Sequence, residues 1–335
     1  MMRKVLVTGA TGLLGAHLTC RLLLRGNTVV ALKREPHRTA LFTAVAALYN
    51  LEAEHHNLHW KTGALEDVFS LEEAMDGVET VFHCAAYVSF YRSEAARMLQ
   101  VNGSGTANVV NACLRSGKPY LVHVSSIAAL GRSAAGEHIS ENTHWSDSSL
   151  NTRYAVSKHL SELEVWRGFE EGLPGAIVNP GIIIGAGDGR SGSNMFFHRV
   201  KKGLRYYPTG INGFVSVENT VDLMLMLAEK RVMHERFIAV SENLSYQQLL
   251  GMIADSCGVK KPNIPIAGLW FHALKLLTFL AEPLFGKRLP VSYENIRLSH
   301  HKAFYGHEKA AALGMHFEPV ADSVKRTARQ LGLNA

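Results

Sequence analysis

The sequence predicts an α/β fold: a doubly wound parallel sheet of about seven strands, with a smaller, mainly helical C-terminal substrate lobe. Three observations carry that expectation. Short apolar, β-branched runs alternate with helix-length segments up to about residue 240. The strand runs are apolar nearly throughout, as strands covered on both faces are. The first of them runs straight into a glycine-rich turn that opens a helix.

The elements follow in order. Lys4–Thr8 is the first strand: the apolar run behind the basic start MMRK ends in glycines too soon for a signal peptide. A helix over Leu13–Arg25 stops at Gly26, where a glycine C-terminal stop is expected. Strand Thr28–Leu32, helix Arg38–Leu51 and strand Leu58–Lys61 come next, and Ser70-Leu71-Glu72-Glu73 reads as a capping-box start of a short helix. Then come strand Thr80–Cys84, helix Glu94–Ser116 stopped by Gly117, strand Tyr120–Ser125, helix Thr152–Glu171 and strand Ala176–Asn179. Helix Thr220–Lys230 and strand Phe237–Val240 complete the alternation. Beyond about residue 243 helical segments dominate, broken by Pro262, Pro265, Pro283 and Pro290. We therefore assign 1–180 and 214–242 to a dinucleotide-binding domain of Rossmann type, and 181–213 and 243–335 to a substrate-binding lobe.

Composition narrows the classes. The 335 residues are 47% hydrophobic and 19% charged, an ordinary globular balance. The formal charge of +6 is scattered, with no Lys/Arg block interleaved with aromatics, which argues against nucleic acid and suits an anionic small molecule. Cys20, Cys84, Cys113 and Cys257 are far apart and read as reduced thiols in a cytoplasmic protein. His55, His56 and His59 cluster, as do His300, His301 and His307, but neither group has zinc spacing, so no metal is expected. Ile264–Phe285 approaches membrane-spanning length, yet His272, Lys275 and Glu282 would put charges in lipid at a cost of several kcal/mol. The expectation is no transmembrane segment but a helix packed on its own domain. The sharper readings are an apolar lid or a helix lying weakly on a membrane surface. That apolar character tilts the substrate toward a hydrophobic ketone or aldehyde, ring systems included.

Chemistry concentrates at strand ends. In Thr8-Gly9-Ala10-Thr11-Gly12-Leu13-Leu14-Gly15, one glycine permits a sharp turn, one a close approach to a pyrophosphate, and one tight helix–strand packing. The helix start offers free N–H groups to phosphate. After the second strand, Leu32-Lys33-Arg34-Glu35-Pro36 puts basic residues before an acidic one, which leans to NADP through Arg34, with NAD as the alternative. The fifth strand ends in Ser125-Ser126. In the next helix Tyr154 and Lys158 share a face at i and i+4. A neighbouring ammonium lowers a phenol's pKa, and a serine hydroxyl can hold a carbonyl oxygen, so the set suits proton transfer to a carbonyl taking a hydride.

Taken in order, these motifs resemble the extended branch of the short-chain dehydrogenase/reductase superfamily, the NAD-dependent epimerase/dehydratase family, over roughly residues 3 to 240. TGATGLLG resembles the T-G-x-x-G-x-x-G loop. His83-Cys84-Ala85-Ala86 resembles the H-x-A-A segment lining the cofactor cleft, and Asn102-Gly103-Ser104-Gly105-Thr106 resembles N-x-x-G-T. The resemblance implies that Ser126 is the catalytic serine, Tyr154 the proton donor, and Lys158 the ribose-binding lysine that acidifies it. It implies that Asn179-Pro180-Gly181-Ile182 meets the nicotinamide, and that Phe214-Val215-Ser216-Val217 is the later F-V-x-V strand. Cofactor contacts are thereby expected from Gly9 through Gly15, and from Arg34, Leu65, Ala85, Ala86, Asn102, Tyr154, Lys158, Pro180, Gly181 and Ile182.

Two departures stand out. Gly63-Ala64-Leu65 replaces a common G-D-L, and Asn219-Thr220 stands where an aspartate is usual, with Asp222 nearby. Arg34-Glu35-Pro36 is similar to the R-D-P of dihydroflavonol-reductase-like members, and Leu130 precedes Gly131 where sugar epimerases more often have tyrosine. Ala186–Asn194 reads as a loop between lobes. Arg199, Lys201, Lys202 and Arg205 read as a solvated helix face, or, in a sugar-nucleotide enzyme, as a grip on a diphosphate. The first functional expectation is an NADP-dependent reductase of an apolar carbonyl compound, or the reverse alcohol dehydrogenase. The alternatives are a nucleotide-sugar epimerase or dehydratase with tightly bound NAD, and a non-catalytic dinucleotide sensor. The resemblance also implies a homodimer through the Tyr/Lys helix.

Overall fold

The computed structural model describes residues 3–35, 39–132, 138–189, 192–285, 289 and 291–334. Seven strands form one parallel sheet: β1 (Lys4–Thr8), β2 (Thr28–Lys33), β3 (Leu58–Thr62), β4 (Thr80–His83), β5 (Tyr120–Val124), β6 (Gly175–Pro180) and β7 (Glu235–Ala239). Their order is β7-β6-β5-β4-β1-β2-β3. Every predicted strand is present, and no end moves by more than two residues. The order reverses between β1 and β4, where Thr8 stands opposite Leu32 on one side and His83 on the other. That reversal opens the crevice in which such sheets bind ligands.

Alternate residues of each strand feed two cores. On one face Val5, Val7, Val29 and Ala31 pack under helix α1 (Leu13–Leu24). On the other, Leu6, Val30, Val81, Leu121 and Ile177 pack under α2 (Gly105–Arg115) and α3 (Arg153–Glu170). Such a strand has no solvent face, hence the continuous apolar runs. Each fully buried Leu or Val stabilises by about 1.5–3 kcal/mol before entropy is counted.

A third core lies beyond this sheet. Ile184, Phe197, Phe214, Leu249 and Ile253 close around Val324 of the helix Val320–Gln330. Its small sheet joins Ile182–Ile184 in parallel to Ile211–Ser216, which pairs antiparallel with Glu242–Ser245. The chain passes from β6 into it at Gly181, where a Cβ would meet the Gly213 carbonyl oxygen at 2.5 Å. α4 (Val217–Lys230) returns the chain to the main sheet.

Four predictions need correction. The single helix Glu94–Ser116 is Ala95–Leu99, a π-helical turn over Gln100–Ser104, and then α2. The bulge turns the Asn102 amide onto the neighbouring chain. Ser70 does not cap its helix: Asp67 does, its carboxylate accepting from the Ser70 N–H at 3.3 Å, and the helix begins at Val68. α4 begins at Val217 instead of Thr220 because the Ser216 hydroxyl caps the Asn219 N–H at 3.0 Å. The segment predicted to pack on its own domain is α5 (Gly268–Phe285), and only Thr278 and Glu282 of it are buried. Among the described residues no helix is long and apolar enough to cross a membrane. The predicted helix Arg38–Leu51 is seen as Ala40–Leu48; Arg38, Pro36 and Pro290 lie outside the described residues.

Candidate active site

The glycine turn is built by close approach. Gly9 has φ +74°, and a Cβ there would stand 2.7 Å from the Ala85 nitrogen, so the segment after β4 rides directly on the turn. A Cβ on Gly15 would stand 2.2 Å from the Gly9 carbonyl oxygen, which fixes α1 against the strand end. Gly12 is exposed and forms the N-cap of α1. No side chain caps this helix, and its first turn holds no acidic residue. The amides of Leu13, Leu14 and Gly15 thus begin a helix whose positive end has no protein acceptor, which suits a pyrophosphate. Ala10 is buried beneath the turn and Thr11 is half-buried. The β1–β2 register ends at Thr8 opposite Leu32, so Lys33 and Arg34 follow β2 at the same end of the sheet as the glycine turn. The Lys33 ammonium lies 5.2 Å from the Trp60 ring centroid, and Arg34 is exposed.

The catalytic candidates meet at the carboxyl end of β5. Ser126 is extended and starts a 3₁₀ turn over Ile127–Leu130, its hydroxyl accepting from the Ala128 N–H at 3.1 Å. That hydroxyl faces the Tyr154 phenol. The Thr152 hydroxyl caps α3 by accepting from the Ala155 N–H at 3.0 Å, which aims Tyr154 at the strand end. Phe90 covers the ring of Tyr154, with 5.6 Å between centroids. Lys158, 1% exposed, donates from Nζ to the Val124 carbonyl at 2.8 Å.

Electrostatics correct one expectation. Burial raises the Tyr154 pKa above the ordinary phenol value, and the Ser126 hydroxyl facing it pulls it part of the way back. The ammonium expected to acidify the phenol is turned to Val124 instead. Burial lowers the Lys158 pKa to about 8, against the upward pull of Glu162 and Cys84. The lysine is therefore the group brought closest to neutrality.

Sequence reasoning missed the polar scaffold behind these residues. Glu162, one turn past Lys158 and 1% exposed, accepts from the Ser125 hydroxyl at 2.7 Å and from the Asn179 amide at 2.9 Å. It also pairs with the Arg236 guanidinium at 2.9 Å. The Asn179 amide in turn donates to the Ser126 carbonyl at 3.0 Å. One carboxylate thus ties together the ends of β5 and β6. The available signal was the continuation of the Tyr154/Lys158 face to i+8. A second chain of buried bonds runs Thr8–His83–Thr106–Ser161–His123, with distances of 2.7, 3.0, 2.8 and 3.3 Å. Burial, reinforced by the Lys158 charge, lowers the His83 pKa to about 3, so the ring is neutral at ordinary pH.

Other sequence candidates occupy supporting positions. The Asn102 amide clamps Tyr87, accepting from its N–H at 2.7 Å and donating to its carbonyl at 2.9 Å, and it reaches Ser157 at 3.0 Å. Leu65 is buried against Gly105, and its carbonyl accepts from the Asn108 amide at 2.9 Å. The Thr8 hydroxyl holds the Ala85 N–H at 3.3 Å, with Ala86 following. Pro180 ends β6, and Gly181 carries the chain to Ile182 in the small sheet. Asn219 holds Glu318 and His316, while Asp222 pairs with Arg21 at 2.7 Å. The loop after Ile184 leans on α1: a Cβ on Gly187 would touch Leu13 at 3.1 Å. Arg199, Lys201, Lys202 and Arg205 are exposed. Among the described residues no three His, Cys, Asp or Glu could hold a metal ion.

A reversed strand order, a helix start with no side-chain cap behind a glycine turn, and Ser126, Tyr154 and Lys158 at the end of β5 mark a dinucleotide-binding α/β fold. Residues 5–239 match the pattern of the NAD dependent epimerase/dehydratase family, and the chain belongs to that family as an extended short-chain dehydrogenase/reductase. It is 32% identical over 299 residues to sterol demethylase protein B of Methylococcus capsulatus, covering 88% of this chain and 87% of that one. It is 27% identical over 317 residues to a putative dihydroflavonol 4-reductase of Synechocystis sp., covering 91% and 87%. The crystal structure of gox2253 superposes with a TM-score of 0.81 at 28% identity, covering 99% of both chains.

Proposed function

We propose that this protein is an NADP(H)-dependent reductase of an apolar ketone or aldehyde, running in reverse as an alcohol dehydrogenase. The observation that carries the reading is the convergence of Ser126, Tyr154 and buried Lys158 at the carboxyl end of β5. The Ser126 hydroxyl holds the substrate's carbonyl oxygen, and Tyr154 gives that oxygen a proton. The raised phenol pKa keeps Tyr154 protonated, the form a donor needs. A nicotinamide dinucleotide, when bound, supplies the hydride to the carbonyl carbon. The turn from Gly9 to Gly15 would hold its pyrophosphate, Arg34 a 2′-phosphate, and Lys158 the ribose. The segments Ala85–Ala86 and Pro180–Ile182, which follow β4 and end β6, would border the same crevice.

Similarity to a protein named for dihydroflavonol reduction supports reduction over sugar epimerisation, and similarity to one named for sterols supports an apolar substrate. On this reading the outward stripe of α3, Val156, Leu160 and Leu163, meets a second copy of the chain.

The test is oxidation of NADPH, with NADH in parallel, against a panel of apolar ketones and aldehydes. NADPH is expected to be preferred, and Tyr154→Phe to lower kcat about 10²–10⁴-fold without changing the melting temperature. Tightly retained NAD with no net cofactor consumption would overturn the reading in favour of an epimerase or dehydratase.

A further inference from the structure

Helix α5 is amphipathic the wrong way round for a solvated helix. Its inward face carries the polar groups. Glu282 accepts from the Arg92 N–H at 2.7 Å and from the Tyr293 N–H at 3.0 Å. Thr278 is buried beside it, and Lys275 lies 5.9 Å from the Tyr293 ring centroid. The Arg92 guanidinium sits over Phe279, 4.5 Å from its centroid. The outward face is apolar, with exposed His272 at its edge. Leu269, Trp270, Leu276, Leu277, Leu280 and Leu284 are 84%, 81%, 59%, 64%, 60% and 80% exposed. Their spacing is that of one helical stripe, and Ala273, also exposed, fills its remaining gap. The one carboxylate of the helix, Glu282, is bonded inward. No charge interrupts the stripe.

The surroundings name the partner. The strand Ile264–Ile266 leads into α5 and pairs with Tyr206–Pro208, so Arg205 and half-exposed Tyr206 flank the start of the helix. The Arg205 carbonyl accepts from the Asn263 and Ile264 N–H groups at 3.1 and 3.0 Å. Lys202, Lys260 and Arg205 are exposed along this approach. An apolar stripe rimmed by cations, with Trp270 and Tyr206 at the border, is complementary to an anionic lipid surface. A second copy meeting this face across a two-fold axis would bring like-charged rims together. Lying flat, 18 residues span about 27 Å.

We propose that α5 docks the protein on an anionic bilayer surface, with its leucine and tryptophan stripe in the acyl–headgroup boundary and the basic rim on the headgroups. The docked helix adjoins the site. Glu282 holds the backbone of Arg92, and Phe90, two residues earlier, packs on Tyr154. Resting on the reductase reading, the substrate class is then a carbonyl compound dissolved in the bilayer.

The test is flotation of the full chain with vesicles of phosphatidylcholine alone or mixed with phosphatidylglycerol. Binding is expected with the anionic mixture and is weakened by salt. The double substitution Leu276→Glu, Leu280→Glu is expected to weaken it about tenfold or more, with melting temperature and dinucleotide binding unchanged. No flotation with either vesicle, or flotation indifferent to the double substitution, sinks the proposal. So does a solution mass that the double substitution halves, since the stripe would then join two copies. Flotation needs no turnover: its failure leaves the reductase reading standing, and a floating protein that reduces nothing refutes only that reading.

Discussion

Helices α3 and α5 are both 18 residues long, and both bury polar side chains while leaving leucines outward, although α3 also buries Val165 and Phe169. They differ in what the buried face holds. α3 buries Ser157, Lys158, Ser161 and Glu162, and each is bonded to another group, most of them on neighbouring strands and helices. α5 buries only Thr278 and Glu282, whose bonds go to main-chain groups nearby. The outward faces differ in the opposite sense. Val156, Leu160 and Leu163 of α3 are 36–48% exposed, whereas Leu269, Trp270 and Leu284 of α5 are 80% exposed or more. A buried charge survives only where partners compensate it, so α3's inward groups mark an internal site of chemistry. α5's inward groups only fasten it, and what it offers lies outside.

The sharpest way to break this contrast is to neutralise the buried carboxylate of each helix. Glu162→Gln removes the partner of Arg236 and the counter-charge behind Lys158, and is expected to cost about 3–5 kcal/mol of stability. Because Glu162 holds Ser125 and Asn179, and through them the Ser126 strand end, kcat should fall more than KM rises. Glu282→Gln keeps an acceptor for one of its two main-chain donors and should cost about 1–2 kcal/mol, with kcat intact. Urea denaturation and steady-state kinetics on the two variants check this, and equal costs would dissolve the contrast.

The sequence made the site face of the first helix legible; of the second it showed the helix but not which face lies inside. The strands of the main sheet could be read because burial on both faces forces unbroken apolar runs. Gly9 and Gly15 could be read because no larger residue fits where their Cβ atoms would stand. Tyr154 and Lys158 could be read because helical spacing alone puts them on one face. Three features were not legible, because each depends on a contact made at long range. The Lys158 ammonium turns to Val124, a carbonyl on β5. The π-turn at Asn102 exists because its amide clamps Tyr87. α5 is apolar enough to suggest a core helix, and only the bonds of Glu282 to Arg92 and Tyr293 fix which face is inside.

A further sharpening uses pH. Behind α3, burial drives the His83 pKa to about 3, and that of His123 on β5 well below its ordinary 6.5. Both folded values lie below the unfolded ones, so the unfolded chain binds protons first. The stability from these neutral rings is complete above pH 6.5 and is lost as pH falls toward 3. Each ring can contribute a slope of up to about 1.4 kcal/mol per pH unit. Replacing His123 with Leu should remove about one such slope between pH 6.5 and 5. Urea midpoints of the two proteins at several pH values measure it, and parallel pH dependences would show that His123 is not held neutral.

The smallest effect on stability is expected on the outward face of α3, where it bears on assembly. Leu160 and Leu163 are 42% and 48% exposed, and Leu99 of the neighbouring short helix is 38% exposed, so α3 offers a narrow apolar stripe whose nearby arginines, Arg97, Arg153 and Arg167, are each paired with a carboxylate. In the reductase reading that stripe meets its own copy, and its half-exposed leucines gain burial only on pairing. Leu160→Lys with Leu163→Lys should change the unfolding free energy of the isolated chain by no more than about 0.5 kcal/mol, as surface substitutions do. It should nevertheless halve the solution mass by placing like charges across the two-fold axis. The α5 pair Leu276→Glu, Leu280→Glu should leave that mass unchanged while abolishing flotation. Light scattering on both double variants therefore assigns each face its own partner. A mass that responds to the α5 pair and ignores the α3 pair would exchange the two assignments.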